Sequence, residues 1–213
     1  EPPAPAAAER GNYRHEVTAG FRHLRQTAPL GVLTVVIAIG FGATGVLNVA
    51  IFPLLEQGFG LPAAMLSVVV AIQGVGAVLG GATAARFITK VGEVRTVAIG
   101  MGALALGMVP AALSFEFWQA ALGAVLGGAG VMWVVVAYMT ARQRLTPARL
   151  QGRVGSAANV AINVPQLLGT MTATALVTAV DYRVLLWVTI GFIALAALIH
   201  KSPEPAETPT FQA

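Results

Sequence analysis

Cysteine is missing from all 213 residues, so no disulfide can form, no thiolate can hold a metal and no thiol can act as a nucleophile. Charge is scarce too. Asp, Glu, Lys and Arg make up 10% of the chain, against about 25% in a typical soluble domain. With so little charge and a mean hydropathy of +0.76, water cannot be the main solvent of this chain. Histidine occurs only at His15, His23 and His200. The chain opens on Glu1-Pro2-Pro3 without a methionine, and no charged segment leads into an isolated apolar stretch. A signal peptide is therefore not expected, and a fragment of a longer protein is.

What the sequence does have is long apolar blocks. Six run over residues 30–54, 62–84, 96–113, 117–139, 155–180 and 184–199, and none contains Asp, Glu, Lys or Arg. Most approach the ~20 residues that a helix needs to cross ~30 Å of hydrocarbon. Basic residues collect in alternate connections. Arg10, Arg14, Arg22 and Arg25 precede the first block, and Arg86, Lys90 and Arg95 separate the second from the third. Arg142, Arg144, Arg149 and Arg153 separate the fourth from the fifth, and Lys201 follows the sixth. The other connections carry Glu56, Glu116 and Asp181, with Arg183 the one exception among the bases. This asymmetry predicts six crossings of a plasma membrane with both termini cytoplasmic. It also accounts for the sequence pI of about 10.1 without a nucleic-acid partner.

The predicted organisation is a disordered linker over 1–12, an amphipathic juxtamembrane helix over 13–28, a six-helix transmembrane domain over 29–200 and a disordered cytoplasmic tail over 201–213. In the second of these, Val17, Phe21 and Leu24 share one helical face while Arg14, Arg22 and Arg25 stay polar. Such a segment is expected along a membrane surface.

Polar residues are unevenly shared. In the fifth block Ser156, Asn159, Asn163, Gln166, Thr170 and Thr174 are spaced three or four apart, which puts them on one narrow helical face around Pro165, where a kink or backbone opening is expected. An amide in hydrocarbon is costly, so this face must look into protein or a hydrated cavity. Helix-to-helix hydrogen bonding is one reading of it, and a substrate pathway is the other. Thr44 and Asn48 in the first block, Gln73 in the second, and Trp133 and Tyr138 in the fourth extend the same pathway reading, whereas the third and sixth blocks read as lipid-facing. Two polar-bearing helices and then an apolar one, twice over, predict an all-α membrane protein built as two inverted three-helix repeats. Gly76 and Gly80, and Gly123 and Gly127, have the spacing that lets helix backbones approach, and the cluster Gly127, Gly128 and Gly130 could alternatively serve as a hinge.

The connection AARFITKVGEVRT places Ala85, Arg86, Thr89, Lys90, Gly92 and Arg95 in an order that resembles the cytoplasmic motif of the major facilitator superfamily. Thr89 stands where that motif usually has Asp, and Glu93 where a basic residue is common. The connection TARQRLTPARLQGRV, through Gln143, Thr146, Pro147, Gly152 and Arg153, is similar to the loop between helices ten and eleven of drug and siderophore exporters in that superfamily. The segment RHEVTAGFRHL resembles their central linker. The resemblance implies the carboxy-terminal six-helix half of a twelve-helix transporter, completed by an amino-terminal half or a second copy. It further implies efflux of a small amphipathic substrate through the lipid bilayer, with the proton as coupling ion. Arg86, Lys90, Gly92, Arg95 and Arg153 would form its cytoplasmic gating loops.

Two other classes stand beside transport: a six-helix scaffold or accessory subunit, and an intramembrane enzyme. The second lacks its chemistry, since no histidine and no carboxylate lies within an apolar block and no H-E-x-x-H occurs. No metal and no cofactor are expected.

Overall fold

In the computed structural model the described residues, 13–113 and 116–199, fold into helices without a strand. The linker expected over 1–12 and the tail over 201–213 lie outside them. The helices are α1 (Tyr13–Gln26), α2 (Ala28–Pro53), α3 (Leu66–Ala112), α4 (Phe117–Leu145), α5 (Gln151–Leu176) and α6 (Tyr182–Leu198). Ala28–Gly58, Ala63–Ala112 and Phe117–Leu145 are each long and apolar enough to cross a membrane, and Tyr182–Leu198 is a shorter apolar helix.

Local chemistry sets the boundaries. Thr27 is extended, and Pro29 in the first turn of α2 lacks an amide N–H that no carbonyl there could accept. After Pro53 the chain passes through one wide turn, Leu54–Gly58, to Gly60 in the left-handed region at φ 64°. Pro147 holds Thr146 extended, which ends α4 at Leu145. Asp181 caps α6 by accepting the backbone N–H of Arg183 at 2.7 Å. Helix α5 continues through Pro165, whose ring packs on Gly42 of α2.

The basic connection expected between the second and third apolar blocks is almost wholly helical. Its turn is confined to Gly92, at φ 80° and ψ 165°, a backbone region that only glycine adopts readily. Arg86, Lys90 and Arg95 thus lie on helical ends rather than in a loop. Residues 66–91 and 93–112 form two arms that flank α4 in opposite senses. Gly76 and Gly80 meet Val125 and Ala129 in ascending order, whereas Gly100 and Gly107 meet Gly130 and Gly123 in descending order. The chain therefore reverses at Gly92. At these crossings a Cβ on glycine would run into the facing backbone, so packing at the closest approach is the role these glycines serve. The four glycines at 123, 127, 128 and 130 are all buried.

Helix α2 is the matching hub on the other side. It packs on α5, where Gly45 meets Gln166 and Thr170, and on α6, where Thr189 reaches Ala43, while Tyr182 of α6 reaches Gly58 in the wide turn that follows α2. Its core side chains, Leu30, Leu33 and Ile37, are fully buried with Met101, Leu186 and Ile193. The arm 93–112 and α6 bury one face and expose another made of residues such as Leu106, Phe192 and Leu195, as a lipid-facing surface requires. By contrast the apolar window of α3 is only 11% buried, against 44% for α2 and 39% for α4. Val70, Val75, Val78 and Leu79 on the first arm, and Leu167, Leu168 and Met171 on α5, are exposed apolar side chains.

Helix α1 docks through Gly20, against the carbonyl of Arg153 and the side chain of Ala157, and through the buried Leu24. Its Arg22 and Arg25 point outward. The His23 imidazole lies 3.3 Å from the carbonyl of Leu145 at the end of α4. With Arg144 of α4 bonded to Glu93 beside the Gly92 turn, these contacts gather the basic residues at one end of the bundle. Glu56, Glu116 and Asp181 mark the opposite end.

Candidate functional site: an amide-lipped cleft at the acidic end

A cavity of about 420 Å³ opens between α2, both arms of α3 and α4, nearer the acidic end. Four polar side chains line it: Thr44 and Asn48 from α2, Gln73 from the first arm and Gln166 from α5. The rest is apolar, and no charged residue or histidine contributes. Gln166 Nε2 donates to Thr44 Oγ1 at 3.4 Å, and Thr44 Oγ1 donates to the carbonyl of Phe41 at 2.8 Å. The Asn48 and Gln73 side chains are exposed and make no hydrogen bond to another described residue, so their amides are available to a solute.

The apolar lining includes Leu104, Gly107 and Met108 of the second arm, and Phe117, Gly123 and Ala124 of α4. Phe59 and Phe117 meet edge to face across the acidic end, with ring centres 5.9 Å apart. The third apolar block was expected to be lipid-facing because it carries no polar side chain from Val97 to Leu113, yet Leu104, Gly107, Met108 and Ala111 line the cleft. Only its pairing with α4 through Gly107 and Gly123 reveals this, and no periodicity in the sequence does.

The other expected pathway residues lie elsewhere. Tyr138 is buried, its hydroxyl 2.8 Å from Thr34 Oγ1, which itself donates to the carbonyl of Leu30 at 2.7 Å. Trp133 Nε1 donates to Thr83 Oγ1 at 2.9 Å, and its ring lies 4.5 Å from that of Phe87. Both tie α4 to a neighbour toward the basic end. The row on α5 divides. Gln166 and Thr170 face α2, and Thr170 Oγ1 donates to the carbonyls of Gly45 and Gln166 at 3.0 and 3.1 Å. Ser156, Asn159, Asn163 and Thr174 are exposed. Of these, Asn163 Nδ2 donates to the Asn159 carbonyl at 2.8 Å, and Thr174 Oγ1 to that of Thr170 at 2.8 Å. The row thus pairs helices in one part and leaves an open polar face in the other.

Among the residues expected to gate the cytoplasmic side, Arg86, Lys90 and Arg95 are exposed around Gly92, and Arg153 sits in the first turn of α5 against α1. The departure noted at Glu93 has a structural counterpart, since its carboxylate accepts from Arg144. Among the described residues no group of His, Asp and Glu could hold a metal ion.

The family model described as Major Facilitator Superfamily matches residues 32–213, which take in α2 from its fifth residue, α3 to α6 and every residue of the cleft. No curated protein and no solved structure matches the chain significantly. The family is one of transporters rather than enzymes, and the long apolar helices agree with a multi-pass membrane protein. With all but the first 31 residues matched and an all-helical bundle beneath the match, the chain belongs to the major facilitator superfamily.

Proposed function

We propose that this chain is one six-helix half of a secondary active transporter that moves small amphipathic molecules by alternating access. The carrying observation is the cleft. It is drug-sized by the usual range of roughly 300–1,000 Å³, it is lipped by neutral amides, and it lies within a bundle whose flanking helices suit a bilayer. Six crossings follow if the arms of α3 count as two and α5 and α6 as one each. The reversal at Gly92 and the gathering of bases at one end support that count, with both termini on the cytoplasmic face of the plasma membrane.

Inverted repeats are supported by a reciprocal exchange of contacts. The first helix of the leading triplet, α2, packs on α5 and α6 of the other, while α4 packs on both arms of α3. Two triplets related by a twofold axis in the membrane plane would produce this exchange. The exposed faces of the first arm and of α5 are where an amino-terminal six-helix half or a second copy would close the route.

Efflux driven by protons is the direction and coupling we favour, on the resemblance of the two basic connections to those of drug and siderophore exporters. The cleft has no titratable side chain, so the coupling carboxylate is assigned to the companion half. Transport by reconstituted full-length protein tests the reading. Asn48→Leu with Gln73→Leu should leave folding unchanged, because both side chains are exposed in the cleft and unbonded to other described residues, and should reduce flux at least tenfold. Unchanged flux with intact folding would favour the scaffold reading, which the bonds of Thr170 to α2 also suit.

A further inference from the structure

Helix α5 has few partners of its own. Among the described residues it packs chiefly on α2 and α1, and only Val154, Ala157, Ala158 and Ala173 of its side chains are buried. Its closest backbone approaches to α2, Gly169 at Gly42 and Gln166 at Gly45, lie in its second half. Three of the four buried side chains lie instead in its first two turns, where Gly20 of α1 meets the carbonyl of Arg153 and the side chain of Ala157. The His23 imidazole, 3.3 Å from the carbonyl of Leu145, ties the same α1 to the end of α4. Helix α1 therefore spans the connection 146–150 and touches the elements at both of its ends. That connection does not hold itself. Thr146 within it is buried and its hydroxyl has no hydrogen-bond partner among the described residues, an arrangement that costs stability unless neighbours enforce it.

The attachment of α1 is suited to release. A single extended residue, Thr27 at φ −91° and ψ 94°, separates it from α2, and Gly31 leaves room for the carbonyl of Leu24 to approach the first turn of α2. Leu24 is its one buried large side chain. Charge opposes the docking that this apolar contact favours, since Arg22 and Arg25 on α1 and Arg144 and Arg149 on the elements it joins are exposed and of one sign. An element with few buried contacts and opposed charge is one that opens locally before the rest of a fold does.

We propose that α1 is a releasable strap that sets the position of the first half of α5. Docked, it holds that half against the bundle; swung away about Thr27, it lets α5 pivot on its glycine crossing with α2. The family match begins at residue 32 and leaves α1 out, so the strap lies outside what that match covers. Under the transport reading the strap also governs where the exposed Asn159 and Asn163 stand relative to the cleft.

Release and pivot are measured separately on the full chain in lipid nanodiscs. Ala157→Cys, beneath the strap, should be alkylated by a water-soluble maleimide at least about tenfold faster when combined with Gly20→Leu, whose side chain has no room against Arg153. Ala173→Cys, as deeply buried but about four turns further along α5, should show no such gain. Spin labels on Gln151→Cys and Thr89→Cys, both exposed at the basic end, should change their distance distribution in Gly20→Leu, whereas labels on Leu168→Cys, beside the crossing, and Leu113→Cys should not. Leu24→Ala removes the buried anchor without overpacking and gives the same readouts if Gly20→Leu fails to fold. Alkylation of Ala157→Cys that neither Gly20→Leu nor Leu24→Ala accelerates overturns the strap, as does an acceleration that Ala173→Cys shares. Faster alkylation with an unchanged distance between positions 151 and 89 overturns it too. The expected pattern in a protein that moves no solute across vesicles upholds the strap and counts against the transport reading instead.

Discussion

At the residue scale, glycine and the neutral amides divide the work. Glycine decides how close the helices come, and the amides decide what they present. A Cβ on Gly169 would meet the carbonyl of Gly42, while one on Gly102 would meet nothing within contact range. Gly169→Leu should therefore cost about 1–3 kcal/mol by overpacking, read as a lower melting temperature in detergent, and Gly102→Leu should not lower it. The Glu93–Arg144 pair predicts a much smaller effect. Its arginine is 70% exposed, so Glu93→Gln should change stability by less than ~1 kcal/mol in the same assay. Much of this residue-level chemistry was legible in the sequence, because the three- and four-residue spacing of the α5 row follows from helix geometry alone. Its division was not. Whether Gln166 meets Thr44, or Asn159 meets open space, depends on what α2 presents across the crossing, and a single-helix pattern carries no information about its neighbour.

At the scale of elements, composition located the helices well and their connections less well. Apolar length and the absence of charge marked every block, since hydrocarbon tolerates little else. The basic stretch between the second and third blocks read as a loop because charge and polarity are common to loops and to helix ends that emerge from a membrane. Nothing in residues 85–91 breaks a helix, so the turn falls where the first permissive residue stands, at Gly92. Gly92→Ala should cost about 1–3 kcal/mol through backbone strain. The loss should also loosen residues 93–112 from α4, measurable as faster proteolysis at the turn. Burial of Tyr138 and the hydrogen bond of Trp133 to Thr83 show the converse limit: an aromatic with a polar tip suits a packed crossing as well as a pathway, and spacing does not separate the two.

At the scale of the whole molecule, the bundle is two interlocked units, α2 with α5 and α6 against α4 with the arms of α3, and a cleft opens where they meet. Membership of a transporter superfamily gives that cleft its context. The absence of cysteine from these 213 residues makes the central claim directly accessible, because single cysteines can be introduced into this chain without a background from it. The most direct measurement is alkylation of Asn48→Cys and Asn159→Cys by a membrane-impermeant maleimide, applied separately to each face of sealed vesicles. Asn48→Cys should react from the face that carries Glu56 and Glu116, Asn159→Cys from the face that carries Arg86 and Arg153, and bound substrate should slow the first. Both positions sealed from both faces in every condition would contradict a solute route through this bundle.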